Sequence, residues 1–458
     1  MMMNLCFLPS SAIVEAATTL TQRHLSILAN GSKYVPRCQS YSSSTSAQTL
    51  IAREFDRMSS VIMDGLARNC VSKSDARAKL FFGSLKHLIS QFYEEKLSWK
   101  LFRSVRREQS VVRNIRRQLN AKNNRTILRR TDKNKVFHLG SSLDYEEKAL
   151  MYMMKTQAYE EVDDRQCPLQ DNLTSIISSM NGPTIGVSYF FDRLLRPLFD
   201  HVAKQTTFVN GIDLVRQLEK YRDSGHLTTT TQFITFDVTD LYTMIPRDGA
   251  LPTLGRCLNK YSVRGKIENL SVDTIMKLAR LVLDTNCFVY DEKYYRQIKG
   301  GAMGSPFTMT LANVYMFEWE QPLIDLQTSQ GELYGRYIDD VFMTSNMSIS
   351  EIHRQLDWMN QKDEEHIRIT YTVGSAADFL DVHIENHVGQ LKTSVYRKPA
   401  AEPYVLSYAS DHPRHVHANI PYEALLRAAR LCSDVYAFDQ ERGKRSITNV
   451  GLKSDLNH

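Results

Sequence analysis

The sequence has few cysteines, and none lies in a spacing typical of a metal or redox site. Seven cysteines are scattered over 458 residues, without a Cys-x-x-Cys pair or a cysteine–histidine cluster. This excludes a disulfide framework and a sequence-evident zinc module, so we expect reduced, mostly buried thiols. Runs of 18 or more apolar residues are also missing, so the sequence predicts no membrane span and no membrane partner.

A secretory leader is likewise not indicated. Residues 1–16 are mildly apolar but lack a basic stretch ahead of the apolar one, which a signal peptide requires. We therefore expect an intracellular protein and favour the nucleus. Arg23 and the serine-rich stretch 40–46 leave organelle targeting as an alternative. Nothing in the sequence indicates an oligomeric state.

Charge is distributed unevenly along the chain. The net charge is only +6, yet residues 71–136 hold 18 Lys and Arg against 5 Asp and Glu. Lysine and arginine side chains supply most sequence-independent affinity for nucleic acid, although a solvated helix face is an equal alternative on composition alone. The candidate nucleic-acid-binding residues of this segment lie on one predicted helix: Arg103, Arg106, Arg107, Arg113, Arg116 and Arg117.

The apolar pattern alternates between helical and extended periods. Helical spacing predicts helices over Lys79–Tyr93, Val187–Lys220 and Pro306–Leu323. Runs of β-branched and aromatic residues predict strands at the sites listed next. These are Lys135–Leu139, Gln232–Phe236 ending at Asp237, a hairpin over Phe288–Ile298, and two strands in Leu333–Thr344 that meet at Asp339–Asp340. This order favours an α+β fold over βαβ repeats.

Three carboxylates stand at the ends of these apolar strands. Nucleotidyl transfer needs two divalent ions held by carboxylate oxygens on rigid elements, and Asp237, Asp339 and Asp340 meet that demand. An isolated Asp–Asp pair is more often a solvated turn. The order of three short segments favours the metal site over the solvated turn. Phe236–Tyr242 comes first, Gln297–Pro306 follows about sixty residues later, and Tyr337–Asp340 comes last.

This ordered set resembles motifs A, B and C of reverse transcriptases. The resemblance implies that Asp237, Asp339 and Asp340 are the catalytic metal ligands for two Mg²⁺ ions, with Mn²⁺ as a possible substitute. It implies that the Val238 carbonyl is a further ligand. It also implies that Tyr242 is a steric gate, whose ring fills the space of a ribose 2′-hydroxyl.

The same resemblance implies a nucleotide-binding role for two further segments. In motif B these are Gln297, Gly301, Ser305 and Pro306, where small residues let the backbone approach the base pair. In the fingers, Lys133 and Lys135 are similar to the cations that grip the triphosphate, although neighbouring basic residues compete for this role.

The downstream sequence narrows the resemblance to one group. The segments 379–383, 396–399, 410–413 and 427–433, together with 32–36 near the start, are similar to Penelope-like retroelement reverse transcriptases, which are related to telomerase. The resemblance adds Lys398, Arg427 and Arg430 as nucleic-acid-binding residues of the thumb. Many members append a GIY-YIG endonuclease, and we expect the form without it, because no such motif follows residue 433.

The fold implied is a right-hand polymerase with an α-rich N-terminal extension. We expect this extension over 1–120, fingers and palm with an antiparallel sheet over 121–378, and primer grip with part of a helical thumb over 379–439. A disordered tail is expected over 440–458.

The expected activity is RNA-directed DNA synthesis, with an RNA template, a DNA primer and dNTPs as partners. Three alternatives stay open: a truncated relic that binds nucleic acid without synthesis, a reverse transcriptase retained by the host, and an RNA-dependent RNA polymerase. The last is disfavoured because Tyr242 stands where such enzymes place an aspartate that reads the ribose.

Overall fold

The computed structural model describes residues 13–15, 20–36, 45–68, 72, 74–95, 98–121, 125–131, 136–163, 184–290, 293–363, 366–398, 406 and 410–443. The chain divides into two compact units. The first is Met1–Tyr145 with Lys398–Pro421 and Thr448–His458, and the second is Glu146–Arg397 with Tyr422–Ile447. The four domain ranges predicted from the sequence stay predictions.

Helices and strands are interspersed along the chain. The helices are α1 (Gln22–Leu28), α2 (Ala47–Arg68), α3 (Ala76–Glu94), α4 (Trp99–Leu119), α5 (Ser142–Thr156), α6 (Ile185–Val202), α7 (Gly211–Asp223), α8 (Leu241–Met244), α9 (Arg247–Tyr261), α10 (Val272–Asp284), α11 (Pro306–Trp319), α12 (Gln321–Ser329), α13 (Ile349–Lys362) and α14 (Arg414–Leu431). The strands are β1 (Ile13–Val14), β2 (Thr126–Arg130), β3 (Phe137–Ser141), β4 (Tyr159–Val162), β5 (Gln232–Val238), β6 (Lys266–Ile267), β7 (Leu270–Ser271), β8 (Cys287–Tyr290), β9 (Lys293–Gln297), β10 (Tyr334–Tyr337), β11 (Asp340–Ser345), β12 (Ile369–Gly374), β13 (Ala376–Phe379), β14 (Val382–His387) and β15 (Gln390–Val395). None of the helices that the structure describes combines the length and apolar character needed to cross a bilayer.

The first unit joins helices to a small sheet of order β1–β3–β2. Strands β2 and β3 form an antiparallel hairpin, with Leu128 opposite Leu139, and β1 adds in parallel at Ile13 and His138. Leu139 is fully buried, and α4 packs Val111 and Ile115 into the same core. The predicted strand 135–139 is therefore confirmed in kind, two residues further along.

The second unit is built on a four-stranded antiparallel sheet of order β10–β11–β5–β12. Because side chains alternate along a strand, β5 presents Ile234 and Phe236 to one face and Phe233 to the other. The first face packs against helices that include α6, α9, α10, α11 and α13. Burial of both faces makes β5 the rigid centre of the unit.

The second face of this sheet is covered by α7 and by the antiparallel sheet β13–β14–β15. Phe208, Phe342 and Phe379 pack edge-on or tilted there, with ring centroids 5.6–6.4 Å apart. Leu431, the last residue of α14, is fully buried in the same cluster. This packing fixes the short sheet and the end of α14 to the central sheet.

Two predicted helices were wrong in extent. The block Val187–Lys220 is two helices, α6 and α7, because Phe208 leaves the helical path: it is buried, and its N–H donates to the Arg336 carbonyl at 3.0 Å. The block Pro306–Leu323 ends at Trp319, and α12 begins after Glu320. In both cases a tertiary contact overrides the local period.

Candidate active site

The three predicted acids meet at one end of the central sheet. Asp340 is the register partner of Asp237 on the adjacent antiparallel strand, and Thr370 and Tyr337 extend the row on either side. Side chains of directly opposite residues lie on one face, with Cβ atoms about 4.5–5.5 Å apart. The Asp339 carbonyl accepts the Val238 N–H at 3.1 Å, which ties the turn to β5. Asp237 and Asp340 are thus presented side by side.

Asp339 lies in the two-residue turn between β10 and β11. The prediction that Asp339 and Asp340 together form the tip was wrong by one residue: the turn is Ile338–Asp339, and Asp340 is the first residue of β11. Ile338 has φ +60°, a left-handed value that β-branched residues rarely adopt. Asp237 is exposed, whereas Asp339 and Asp340 are half-buried.

The donor set suits a hard divalent cation. Opposed carboxylates repel unless a cation or a proton lies between them, and Mg²⁺ prefers carboxylate oxygens. Among the described residues, no group of three or more His, Cys, Asp and Glu side chains already converges as a metal cluster. The facing pair Asp237–Asp340 is the pair of carboxylates that could hold such an ion, with Asp339 following Ile338 in the turn. Val238, the predicted carbonyl ligand, is buried within β5.

Tyr242 lies in α8, just beyond the carboxylate row. Its side chain is half-buried against the core of the second unit. Burial raises the pKa of the Tyr242 phenol to about 12, and the negative charge of Asp339 adds to this. Arg336 and Arg196 act in the opposite direction. The phenol therefore stays neutral at physiological pH.

The glycine-rich loop 300–306 is bonded to the backbone around Tyr242. The Gly300 N–H donates to the Ile245 carbonyl and the Gly301 N–H to the Tyr242 carbonyl, both at 2.9 Å. Gly300 has φ +57°, and a Cβ there would lie 2.1 Å from the Tyr242 carbonyl oxygen. No other residue fits at position 300 without moving Tyr242.

Gln297 and Arg247 hold the loop from the other side. Gln297 is buried, and its Nε2 donates to the Lys299 and Gly301 carbonyls at 2.8 and 3.1 Å. Its Oε1 accepts from Asn286 at 2.5 Å. Arg247 donates from Nε to the Gly300 carbonyl at 2.9 Å and from Nη2 to the Gln297 carbonyl at 2.7 Å. Burial lowers the Arg247 pKa to about 10, which leaves the guanidinium charged at neutral pH.

Ser305 and Pro306 begin α11, the helix that follows the loop. Pro306 is at the first helical position, where its missing N–H costs nothing. The Ser305 hydroxyl lies 2.7 Å from that of Ser188 in α6, which also accepts the Phe307 N–H at 3.0 Å. This part of motif B therefore anchors the loop to α6.

The predicted cationic face of α4 is present in the first unit. All six predicted arginines from Arg103 to Arg117 are exposed, while Val105, Val111 and Ile115 form the buried stripe. Arg103 stacks over the Trp99 ring at 4.7 Å. A cleft of about 740 Å³ lies between α1 and α4, and its lining includes Arg23, Trp99, Lys100, Arg103 and Arg107. Exposed cations beside an aromatic ring suit a single strand.

The other predicted basic residues have different positions. Lys133 and Lys135 lie outside the described residues. Lys398 and Arg430 are exposed. Arg427 pairs through Nε with Asp381 Oδ2 at 2.7 Å, and Asp381 follows Leu380 in the turn between β13 and β14.

A helix–turn–helix arrangement follows the short sheet. After α14, residues 432–434 turn and residues 435–443 are helical again. Thr393 of β15 holds this turn: its hydroxyl donates to the Leu431 carbonyl at 2.7 Å, and its N–H donates to the Ser433 hydroxyl at 3.0 Å. Arg397 and the buried Glu441 form a further ion pair.

Two cations near the site, the half-buried Arg247 and the buried Arg336, were not predicted from the sequence. Arg247 holds the glycine-rich loop, and Arg336 lies directly before the Tyr337–Asp340 motif, only 3% exposed. The sequence signal for Arg336 was its position inside a short apolar strand. An arginine in such a strand is expected to be buried, and a buried charge needs a partner. Its partners could not be read from the sequence, because Glu320 and Asn313 come from the preceding helices.

Comparisons with known proteins agree with this architecture. A family model described as the animal helix-turn-helix domain matches residues 404–445. No curated protein sequence matches the chain. Solved structures similar to it are telomerases at low sequence identity.

Telomerase from Candida albicans, in complex with a TWJ fragment of telomeric RNA, is 10% identical and covers 76% of this chain and 62% of its own, with a TM-score of 0.51. Telomerase from Candida tropicalis in complex with the same kind of fragment is 10% identical. The match covers 84% of this chain and 64% of that chain, with a TM-score of 0.47. The apo C. tropicalis enzyme truncated from its C-terminal domain is 11% identical. The match covers 58% of this chain and 62% of that chain, with a TM-score of 0.43.

The chain spans about 62% of the length of the C. albicans telomerase that it resembles. This likeness confirms the predicted fold class, an α+β polymerase fold with an antiparallel palm sheet and an α-rich N-terminal part. The structural relationship to telomerase that the sequence predicted is thus present in the fold.

Proposed function

We propose that the chain is an RNA-directed DNA polymerase of the Penelope-like type. The observation that carries the proposal is the facing pair Asp237–Asp340 at the end of β5, which is followed five residues after Asp237 by Tyr242, whose backbone is bonded to the glycine-rich loop. A polymerase site needs these three parts together: a carboxylate pair, a sugar-contacting ring and a loop with room for a nucleotide.

In this proposal Asp237, Asp340 and Asp339 hold two Mg²⁺ ions, with the Val238 carbonyl as a further ligand and Mn²⁺ as a substitute. The bound ions activate the primer 3′-hydroxyl and neutralise the leaving pyrophosphate. The chain's own residues position the carboxylates and the Tyr242 ring. The β5–β11 pairing fixes the carboxylates, and bonds to Gly300 and Gly301 fix the place of the Tyr242 ring.

Tyr242 would set the sugar preference. Its ring packs partly against the core of the second unit, and in this proposal it fills the space that a 2′-hydroxyl on an incoming nucleotide would need. Since the raised pKa keeps the phenol neutral, the ring acts by shape rather than by charge. We therefore propose dNTPs as substrates.

Nucleic-acid partners are proposed from charge and from the comparison. The α4 face and the cleft beside Trp99 suit an RNA or DNA single strand, and the match to a helix-turn-helix model over 404–445 favours DNA contact there. The sequence patterns in 379–433 that are similar to Penelope-like elements overlap this match. An RNA template and a DNA primer are the partners that fit both the α4 face and the helix-turn-helix match.

A primer-extension assay tests the proposal. The purified chain is given a DNA primer on an RNA or a DNA template, with dNTPs or rNTPs and Mg²⁺ or Mn²⁺. We expect dNTP incorporation on the RNA template that disappears in Asp340→Asn. Template binding without synthesis in wild type under all of these conditions would favour the relic, and equal use of rNTPs would favour an RNA polymerase.

A further inference from the structure

Arg336 is a buried cation placed between the glycine-loop helix and the carboxylate turn. It belongs to β10 and is 3% exposed, and its nearest acid, Glu320, is 1% exposed. The Arg336 Nε lies 2.7 Å from Glu320 Oε1. Burial raises the pKa of Glu320, and the charge of Arg336 acts against that rise. The contact is an ion pair without hydrogen-bond geometry, because neither Arg336 Nε nor Glu320 Oε1 has a hydrogen-bond partner among the described residues, and removing one charge of such a buried pair is costly.

The remaining donors of Arg336 go to two separate elements. Its Nη1 donates to the Ile338 carbonyl at 2.8 Å and to Asn313 Oδ1 at 2.6 Å, and its Nη2 donates to the Asn313 carbonyl at 3.2 Å. Asn313 belongs to α11, the helix that follows the glycine-rich loop. The rigid fork of a guanidinium can reach these acceptors at once, whereas a lysine ammonium is a single point.

The bond to Ile338 falls on the strained residue of the turn. A β-branched residue at φ +60° is unfavourable and persists only when its surroundings hold it. Asp339 follows directly, and its carbonyl accepts the Val238 N–H. The Arg336 fork is therefore placed to set where Asp339 and Asp340 stand relative to Asp237.

We propose that Arg336 is a positioning residue, which holds the strained Ile338 turn so that Asp339 and Asp340 stay in register with Asp237. Glu320 and Asn313 fix the fork in turn, which links the carboxylates to α11. The consequence for synthesis rests on the proposed function. The effect of Arg336 on the Ile338 turn does not rest on that function, because it concerns only the hydrogen bonds of the turn's backbone.

Hydrogen–deuterium exchange of the full chain without metal tests the turn directly. In Arg336→Lys we expect the amides of residues 338–340 and of Val238 to exchange at least about tenfold faster, with β13–β15 unchanged. Adding Ile338→Gly should restore slow exchange, because glycine adopts φ above zero without strain. Adding Leu380→Gly to Arg336→Lys is the matched control. Leu380 has φ +55° before Asp381 in another two-residue turn, and this change should not slow the exchange at residues 338–340.

Two outcomes would overturn the proposal: unchanged exchange at 338–340 in Arg336→Lys, or equal restoration by both glycines. If Arg336→Lys does not fold, Arg336→Met with Glu320→Leu replaces the ion pair by apolar side chains, a change that proteins tolerate. It lacks the donor to Ile338 and should show the same fast exchange; slow exchange there would also overturn the proposal.

Primer extension supplies the second readout. We expect Arg336→Lys to lower kcat about tenfold or more with little change in the dNTP KM, and Ile338→Gly to recover part of the loss. The exchange result stands whether or not the wild type extends a primer, so failure of the positioning role is distinguishable from failure of the proposed function.

Discussion

Asp340 lies directly across the β5–β11 ladder from Asp237, and the Val238 N–H bonded to the Asp339 carbonyl closes the ladder beyond them. Two acids in facing positions cost free energy in most sheets. Here they stand at one end of a strand pair that contains buried residues such as Phe236 and Val341. The proposed cation site would offset the repulsion between them.

Removing one charge of this pair should abolish synthesis. We expect Asp237→Asn or Asp340→Asn to lower primer extension at least about a thousandfold, since several kcal/mol of charge stabilisation is lost. We also expect Mg²⁺ to raise the Tm of the wild type and to leave the Tm of either variant unchanged. Asp273→Asn, at an exposed site in α10, is the control and should change neither quantity. An unchanged Mg²⁺ effect in both site variants would refute the metal assignment.

Tyr242 should control sugar choice through its ring and not through its hydroxyl. Tyr242→Ala is expected to raise rNTP use relative to dNTP by about tenfold or more, in the range typical of lost steric discrimination. Tyr242→Phe should behave as wild type. Because burial and Asp339 raise the Tyr242 pKa to about 12, discrimination should stay constant from pH 7 to 9. A fall in discrimination across that range would contradict a neutral phenol.

Gly300 is expected to tolerate no side chain. Gly300→Ala places a Cβ 2.1 Å from the Tyr242 carbonyl oxygen, in addition to the left-handed strain at φ +57°. Gly225→Ala has similar strain at φ +80° but no atom within 4 Å. We expect Gly225→Ala to lower the free energy of unfolding by about 1–2 kcal/mol, and Gly300→Ala by about 2 kcal/mol more. Urea unfolding of both variants measures the difference, and equal losses would rule out the contact.

Arg247 should affect nucleotide binding through the loop. Arg247→Gln removes a guanidinium that bonds the Gln297 and Gly300 carbonyls, which costs about 2 kcal/mol for charge-assisted bonds. We expect a higher dNTP KM and weaker sugar discrimination. Arg256→Gln removes an exposed arginine of the same helix and should leave both unchanged. If the two variants gave the same KM, the loop contact would have no kinetic role.

The α4 face should bind nucleic acid through its charge. Replacing Arg103, Arg106 and Arg107 by Gln is expected to weaken single-strand binding and to reduce the salt slope by up to about 2, at about 0.7 per lost phosphate contact. The same triple change at Arg53, Arg57 and Arg77, exposed on α2 and α3, is the control. Equal losses for the two triples would mean general attraction and no defined track.

Local patterns predicted the strands and the carboxylates, because they depend on neighbours in the sequence. The run Gln232–Phe236 ending at Asp237 and the two strands around Asp339 were confirmed as β5, β10 and β11. Order along the chain then identified the motifs. The resemblance of that order to reverse transcriptases implied the right-hand fold class, which agrees with the likeness to telomerase.

What the sequence could not give was partnership across the fold. Phe208 breaks a predicted helix because it pairs with Arg336, and Glu320 separates α11 from α12 where it meets the same arginine. Gln297, predicted to contact nucleotide, has its amide bonded to the loop backbone and to Asn286. The Phe208–Arg336 contact joins residues 128 positions apart, and the Glu320–Arg336 pair joins residues 16 apart, so no local period reports them.

The central position of β5 also has a consequence for biosynthesis. Its two hydrogen-bonding neighbours, β11 and β12, follow it only after about a hundred residues or more, so that β5 emerges from the ribosome with both edges unpaired. The strand that carries Asp237 must wait several seconds at ordinary translation rates of about 5–20 residues per second. During that interval an apolar segment is open to chaperones, and the facing Asp237–Asp340 pair forms only after β11, which ends at Ser345, has been synthesised.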